Sequence, residues 1–258
     1  MTLDWRRLSR DELDRGLNNS AAVANSSEIL AGWDQRGRAL RSTRELIYGP
    51  APRNRIDLFG ERVGAPLFVF VHGGYWQARS RENFYFLAEG PLARGFNAAF
   101  VGYTLAPDAS LDAIVGEVRS ALDLLDRELG APLFLGGWSA GGHLAVTVSD
   151  RPSVYGTLAI SGIYDLEPIR HSYLNDKLQL DEAAARRNSP IHRPRAQTPL
   201  ALAVGSAELP LVHDQTLAYA AANDLPVQEL DGANHFTILD ALAAPDGALT
   251  ETLVRLAS

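Results

Sequence analysis

Residues 132–149, PLFLGGWSAGGHLAVTVS, decide how the chain is read. Pro132–Leu135 opens as an apolar strand, a glycine-rich turn follows, and His143–Ser149 continues as a helix. Gly137-Trp138-Ser139-Ala140-Gly141 fits the pattern G-x-S-x-G, in which a serine sits on a sharp strand-to-helix turn. Residues two positions either side of such a serine must be tiny, which accounts for Gly137 and Gly141. Taken alone, the pentapeptide is equally consistent with a glycine-rich turn carrying an idle serine. The surrounding chain has to decide.

Upstream, Leu67–Val71 (LFVFV) is a continuous apolar run of the kind covered on both faces of a sheet. A helical stretch at Glu82–Arg94 leads to a second run, Asn97–Tyr103. Leu111, Ile114, Val115, Val118, Leu122, Leu125 and Leu129 then recur at helical spacing with charges between them. Downstream, Thr157–Ser161, Leu200–Val204 and Val227–Leu230 read as strands, with a helix at Leu211–Ala222 and a last helix near the C-terminus. Leu46–Tyr48 and Arg55–Leu58, separated by GPAPRN, open the series as an antiparallel pair. Eight strands alternating with helices predict an α/β fold, a mostly parallel central sheet with helices on both faces. One domain over residues 1–258 is expected, with residues 1–45 as an N-terminal helical segment.

In such a sheet, reactive groups collect beyond the carboxyl ends of the strands. His72-Gly73-Gly74-Tyr75-Trp76 stands directly after Leu67–Val71, where glycine lets backbone amides approach a substrate oxygen. Gly73 and Gly74, together with Ala140 after the serine, are the candidate donors of an oxyanion hole, with the Tyr75 amide as an alternative. Of six histidines, His235 stands alone after the last strand, where the chain order of nucleophile, acid and base puts the base. His72 and His143 are read as holding local structure; His171, His192 and His213 are read as surface residues. A carboxylate has to orient the base. Glu208, after Leu200–Val204, is the favoured acid, with Asp165 and Asp214 as alternatives.

Tyr75, Trp76 and Trp138 flank the expected site and offer a pocket for an aryl or other flat apolar group. A tryptophan next to a nucleophile can instead pack beneath the turn. Residues 166–198 exceed the usual loop length of about 2 to 6 residues in α/β units, and DKLQLDEAAARR within them reads as helical. This insertion is expected over the strand ends as a partial lid, the alternative being an extra helix packed at the side.

Composition narrows the function classes. The 258 residues are 46% hydrophobic and 21% charged, as in a folded globular protein. The net charge of −7, with scattered arginines and Lys177 the only lysine, argues against nucleic acid or an anionic membrane as partner. The chain has no cysteine, which excludes disulfides and a thiolate nucleophile and fits a reducing compartment. The first twenty residues lack a signal-peptide core, and no run reaches the roughly 20 apolar residues of a membrane helix. A cytoplasmic protein is expected. No H-E-x-x-H or comparable ligand spacing occurs, so neither a metal nor another cofactor is expected. The expected partner is a small-molecule ester or amide; a homodimer remains open.

With HGGYW, GWSAGGHL and GANHFTILDAL in place, the sequence resembles kynurenine formamidase (arylformamidase) and its esterase-like relatives among the α/β-hydrolases. The likeness runs from Asn18–Val23 through Ser161–Ile169, Tyr173–Asp181 and Asn188–Pro190 to Leu242. It implies Ser139 as nucleophile, His235 as base, Glu208 as acid, and removal of a formyl group from an N-formylated aryl amine. One departure stands out: the acid of animal formamidases is Asp, and Glu stands here. The rival readings are a general short-chain carboxylesterase and a non-catalytic ligand-binding protein on the same scaffold. A haloalkane dehalogenase would need a carboxylate where Ser139 stands.

Overall fold

The structure is a computed structural model that describes residues 4–258. The first three residues of the expected N-terminal segment lie outside the described residues. Eight strands form one sheet: β1 (Arg44–Ile47), β2 (Arg55–Phe59), β3 (Leu67–Val71), β4 (Asn97–Val101), β5 (Leu133–Trp138), β6 (Val154–Ile160), β7 (Leu200–Gly205) and β8 (Val227–Leu230). Their spatial order is β1-β2-β4-β3-β5-β6-β7-β8. The pairs β1/β2 and β2/β4 are antiparallel; every other pair is parallel.

Strand β3 shows why the central strands are apolar throughout. Val69 and Val71 belong to the apolar layer shared with helices Leu111–Leu129 and Ala140–Val148, whereas Phe68 and Phe70 enter an aromatic layer with Trp33, Phe84, Phe100 and Trp138. Alternate side chains leave opposite faces of a strand, so both faces are core. Helix Ser26–Ala39 contributes Trp33, whose ring stacks on Phe86 and meets Trp138 edge-on. The helix Leu111–Leu129 starts at a Ser110 cap, whose side chain accepts from the Ala113 amide, and ends at Gly130 in the left-handed conformation. Its predicted apolar face is buried except for Leu129, which is 37% exposed at the last turn.

Several boundaries differ from expectation. The strand predicted at Pro132–Leu135 runs on to Trp138, because Gly136 and Gly137 keep ladder partners in Phe70 and Val71. The following helix therefore begins at Ala140 rather than His143. The stretch Glu82–Arg94 splits into a 3-10 helix, Arg81–Ala88, and a short α-helix, Glu89–Ala93. Pro91 has no amide hydrogen and is accommodated in the first turn of that new helix. DKLQLDEAAARR is likewise two helices, Asn175–Leu178 and Glu182–Asn188. Gln179 closes the first in a left-handed conformation, and the Asp181 side chain caps the second.

In the 166–198 segment, Leu166, Ile169, Leu174, Leu178, Leu180 and Ala185 are buried in the same apolar cluster as Trp76. Its backbone also meets the loop after β3, where Gln77 Nε2 donates to Leu174 O at 2.7 Å. Among the described residues, no helix is long and apolar enough to cross a membrane.

Candidate active site

Register places the loops of interest side by side. Val71 pairs with Gly137, so the chain leaving β3 at His72 and the chain leaving β5 at Ser139 emerge together. The Ser139 amide donates to Ile160 O and the Ser161 amide to Ala203 O, which extends the row across β6 and β7. Gly205 pairs with Leu230, which brings the loops carrying Glu208 and His235 to the same end of the sheet.

Ser139 sits at φ 57°, ψ −122°, an unfavourable conformation for a residue with a side chain, and is 2% exposed. The turn is tight enough to exclude side chains on either side. A Cβ at Gly141 would lie 2.0 Å from Val71 O, and one at Gly137 would lie 2.1 Å from Gly141 O. Ser139 also caps helix Ala140–Val148, so the Ala140 amide, in the first turn, has no partner within the helix. Across from it, Gly73 packs so closely on Trp138 that a Cβ would lie 2.6 Å from Trp138 O. Among the described residues, no intramolecular hydrogen bond engages the amides of Gly73, Gly74 or Tyr75. The Gly74 carbonyl accepts from the Gln77 and Ala78 amides, which closes the loop from behind.

His235 is 3% exposed and held at three points. Its Nδ1 meets Glu208 Oε2 at 2.7 Å, its carbonyl accepts from Trp138 Nε1 at 2.7 Å, and its ring lies 4.7 Å from the Trp138 ring. Because Trp138 adjoins Ser139, it ties the imidazole to the turn. Among the described residues, the structure records no hydrogen bond between Ser139 Oγ and His235.

The Glu208 side chain has no exposed surface. Besides His235, it accepts from Ser161 Oγ and from the Gly205 amide at 3.2 Å. Burial alone would raise its pKa. The imidazole and these hydrogen bonds outweigh burial and hold the carboxyl below its usual range.

The other candidates lie elsewhere. Asp165 Oδ1 accepts from the Glu167 amide, capping the following turn, and Asp214 lies inside helix Pro210–Asn223. His72 and His143 are fully buried, and burial depresses their pKa values to about 3 and about 4. His72 Nδ1 contacts Gly73 O and its ring stacks on Tyr103; His143 Nε2 contacts Asn188 O. His171 and His213 lie near Glu167 and Glu229, and His192 is exposed.

The three aromatic residues beside the site differ in exposure. Trp76 has no exposed surface and meets His143 edge-on, and Trp138 is 3% exposed within the aromatic layer. Ser139 and His235 are buried to a similar degree, at 2% and 3% exposure. Tyr75 is partly exposed, and its hydroxyl donates to Leu17 O at 2.7 Å and accepts from Asn19 Nδ2. Sequence reading passed over Ser161, although it follows a strand just as Ser139 does. Among the described residues, no group of three or more His, Asp or Glu side chains is arranged to hold a metal ion.

Comparison with known proteins bears on the family and the fold. A family profile described as the alpha/beta hydrolase fold matches residues 68–235. Kynurenine formamidase of Danio rerio is 28% identical over 287 residues, with 98% of each chain covered. Kynurenine formamidase of Drosophila melanogaster is 32% identical over 157 residues, 52% of each chain. Among solved structures, a protein assigned as a thioesterase in Silicibacter sp. superposes with a TM-score of 0.90 at 29% identity, covering 94% of this chain and 99% of that one. The carboxylesterase EstE1, cloned from a metagenomic library, shares the fold with a TM-score of 0.72 at 18% identity, covering 96% and 97%.

Proposed function

The chain belongs to the alpha/beta hydrolase fold family, and from that premise we propose a serine hydrolase that cleaves small acyl esters or aryl formamides through an acyl-enzyme. The observation that carries the reading is the contact of His235 Nδ1 with a fully buried Glu208 carboxylate, beside a serine held in a strained turn.

Ser139 Oγ attacks the carbonyl carbon while His235 Nε2 takes its proton. Glu208 fixes the tautomer with the proton on Nδ1 and stabilises the imidazolium that forms. The carbonyl oxygen becomes an oxyanion and receives hydrogen bonds from the amides of Gly73, Gly74 and Ala140. When the tetrahedral adduct collapses, the bond to the leaving amine or alcohol breaks and the imidazolium returns its proton to the departing atom. Water then enters by the same route in reverse, releases the acid and restores the serine. For a formamide, the acyl group is formyl and the leaving group an aryl amine. The full-length similarity to formamidases supports that substrate. A cytoplasmic site of action fits a chain without cysteine.

Replacing Ser139 by Ala should lower turnover of p-nitrophenyl acetate by about 10⁴-fold or more without changing the circular dichroism spectrum. Retained turnover would remove Ser139 from the mechanism. Comparing kcat/KM for N-formylkynurenine with that for short-chain aryl esters separates a formamidase from a general carboxylesterase.

A further inference from the structure

Three residues past the glycine loop, Arg79 combines two unfavourable features. Its backbone lies at φ 74°, a left-handed conformation that disfavours side chains, and Arg53 fixes it there by donating to the Arg79 carbonyl at 2.5 Å. Its guanidinium is half-buried, yet among the described residues no carboxylate lies within the 4.0 Å of an ion pair and no protein acceptor takes its hydrogen bonds.

The neighbouring arginines are engaged. Arg53 Nε donates to Tyr103 O, and Arg81 binds Asp57, Glu45 and Glu82. Asp34 favours the charged form of Arg79 from beyond ion-pair range, with one oxygen already taken by Asn83 Nδ2 at 2.7 Å. Burial works against the charge and holds the guanidinium below its ordinary pKa.

The side chain also folds against the oxyanion loop: a Cβ at Gly74 would lie 2.9 Å from Arg79 Cγ. A partly desolvated cation without an ion-pair or hydrogen-bond contact, on a strained backbone, destabilises the free protein. Both features recur where a ligand supplies the missing partner. A guanidinium offers a planar fork of donors that matches a carboxylate bidentately.

We propose that Arg79 binds a carboxylate carried by the substrate at a distance from the scissile carbonyl, so that the preferred substrates are anionic esters or amides. This rests on the hydrolase reading above and adds a specificity-determining residue to it.

The test compares 3- and 4-acetoxybenzoate with their neutral methyl esters, using the wild-type chain, Arg79→Gln and Arg79→Lys. The neutral acetates report whether the serine hydrolase reading holds. The ratio of anionic to neutral substrate reports on Arg79. The expected result is a KM for at least one anionic acetate raised about tenfold in Arg79→Gln, with kcat and neutral turnover unchanged and Arg79→Lys intermediate. Thermal melting of Arg79→Gln should be unchanged or higher, because an unpaired charge has been removed. Equal losses on anionic and neutral acetates, no change on either, or a lower melting temperature with both activities reduced would overturn the proposal.

Discussion

Two buried carboxylates stand in the sheet region, and their partners set them apart. Asp57, on β2 at the antiparallel side, is 4% exposed and is bonded by Arg81 Nε and the Tyr85 hydroxyl. Glu208, beyond the parallel end of β7, is fully buried against His235, Ser161 and the Gly205 amide. Arginine does not give up its proton near neutral pH, so the Asp57 pair is a permanent lock. The partner of Glu208 is instead an imidazole, a side chain suited to carrying a proton between reacting groups. Burial alone therefore does not mark a functional carboxylate; the proton affinity of its partner does.

Glu208→Gln tests this contrast with the largest effect. The amide keeps the size but loses the charge and can no longer fix the tautomer, so kcat for p-nitrophenyl acetate should fall about 10³- to 10⁴-fold with the fold retained. A fall of less than about tenfold would make Glu208 a structural lock like Asp57.

Asp57→Asn should do the reverse. Leaving Arg81 partly unpaired should lower the unfolding free energy by about 3 kcal/mol, the lower end for a broken buried pair because Glu45 and Glu82 remain. The kcat should not change. Urea denaturation and a single kinetic assay decide it; a large loss of kcat in the folded variant would erase the distinction.

A third test lies in acid, where the effect accumulates with each pH unit. His72 and His143 stay neutral when folded down to about pH 3 and 4, whereas unfolded histidine protonates near 6.5. The unfolded chain thus binds more protons below 6.5, and stability, fully present above that pH, should fall by up to about 1.4 kcal/mol per histidine per pH unit. Glu208 adds a separate loss. Its folded pKa lies below the ordinary 4.5, so its contribution is present above 4.5 and disappears as pH drops through the lower folded value. Unfolding free energies measured from pH 7 to 4 should therefore decline from about 6.5, and Glu208→Gln should lower the profile above 4.5 while changing its slope only in the lower part. A flat profile from 6.5 to 4 would contradict neutral burial of the two histidines.

Much of this was legible from residue order. The helix Leu111–Leu129 and strands Leu67–Val71 and Val227–Leu230 have the bounds read from the sequence; one-sided burial wrote the helix pattern and burial on both faces wrote the apolar run of Leu67–Val71. The contact between Glu208 and His235 joins two residues that each follow a strand, which the sheet rule brings to one end. Less legible were features set by partners far apart in the chain. Trp33 reaches Trp138 from a helix ahead of the sheet, and Ser161 meets Glu208 through a crossover. Trp76 and Trp138 look like pocket aromatics by position, yet packing from both sides buries them. Glycines ended the predicted strand at Leu135, but ladder pairing carried it to Trp138.

The central claim is that Ser139 is the group that becomes acylated. Incubation with an alkyl fluorophosphonate, followed by peptide mass mapping, tests it most directly. The account predicts one phosphonyl group per chain, on Ser139, with loss of esterase activity in proportion to labelling. Full inactivation with the label on another residue, or labelling of Ser139 that leaves activity intact, would contradict it.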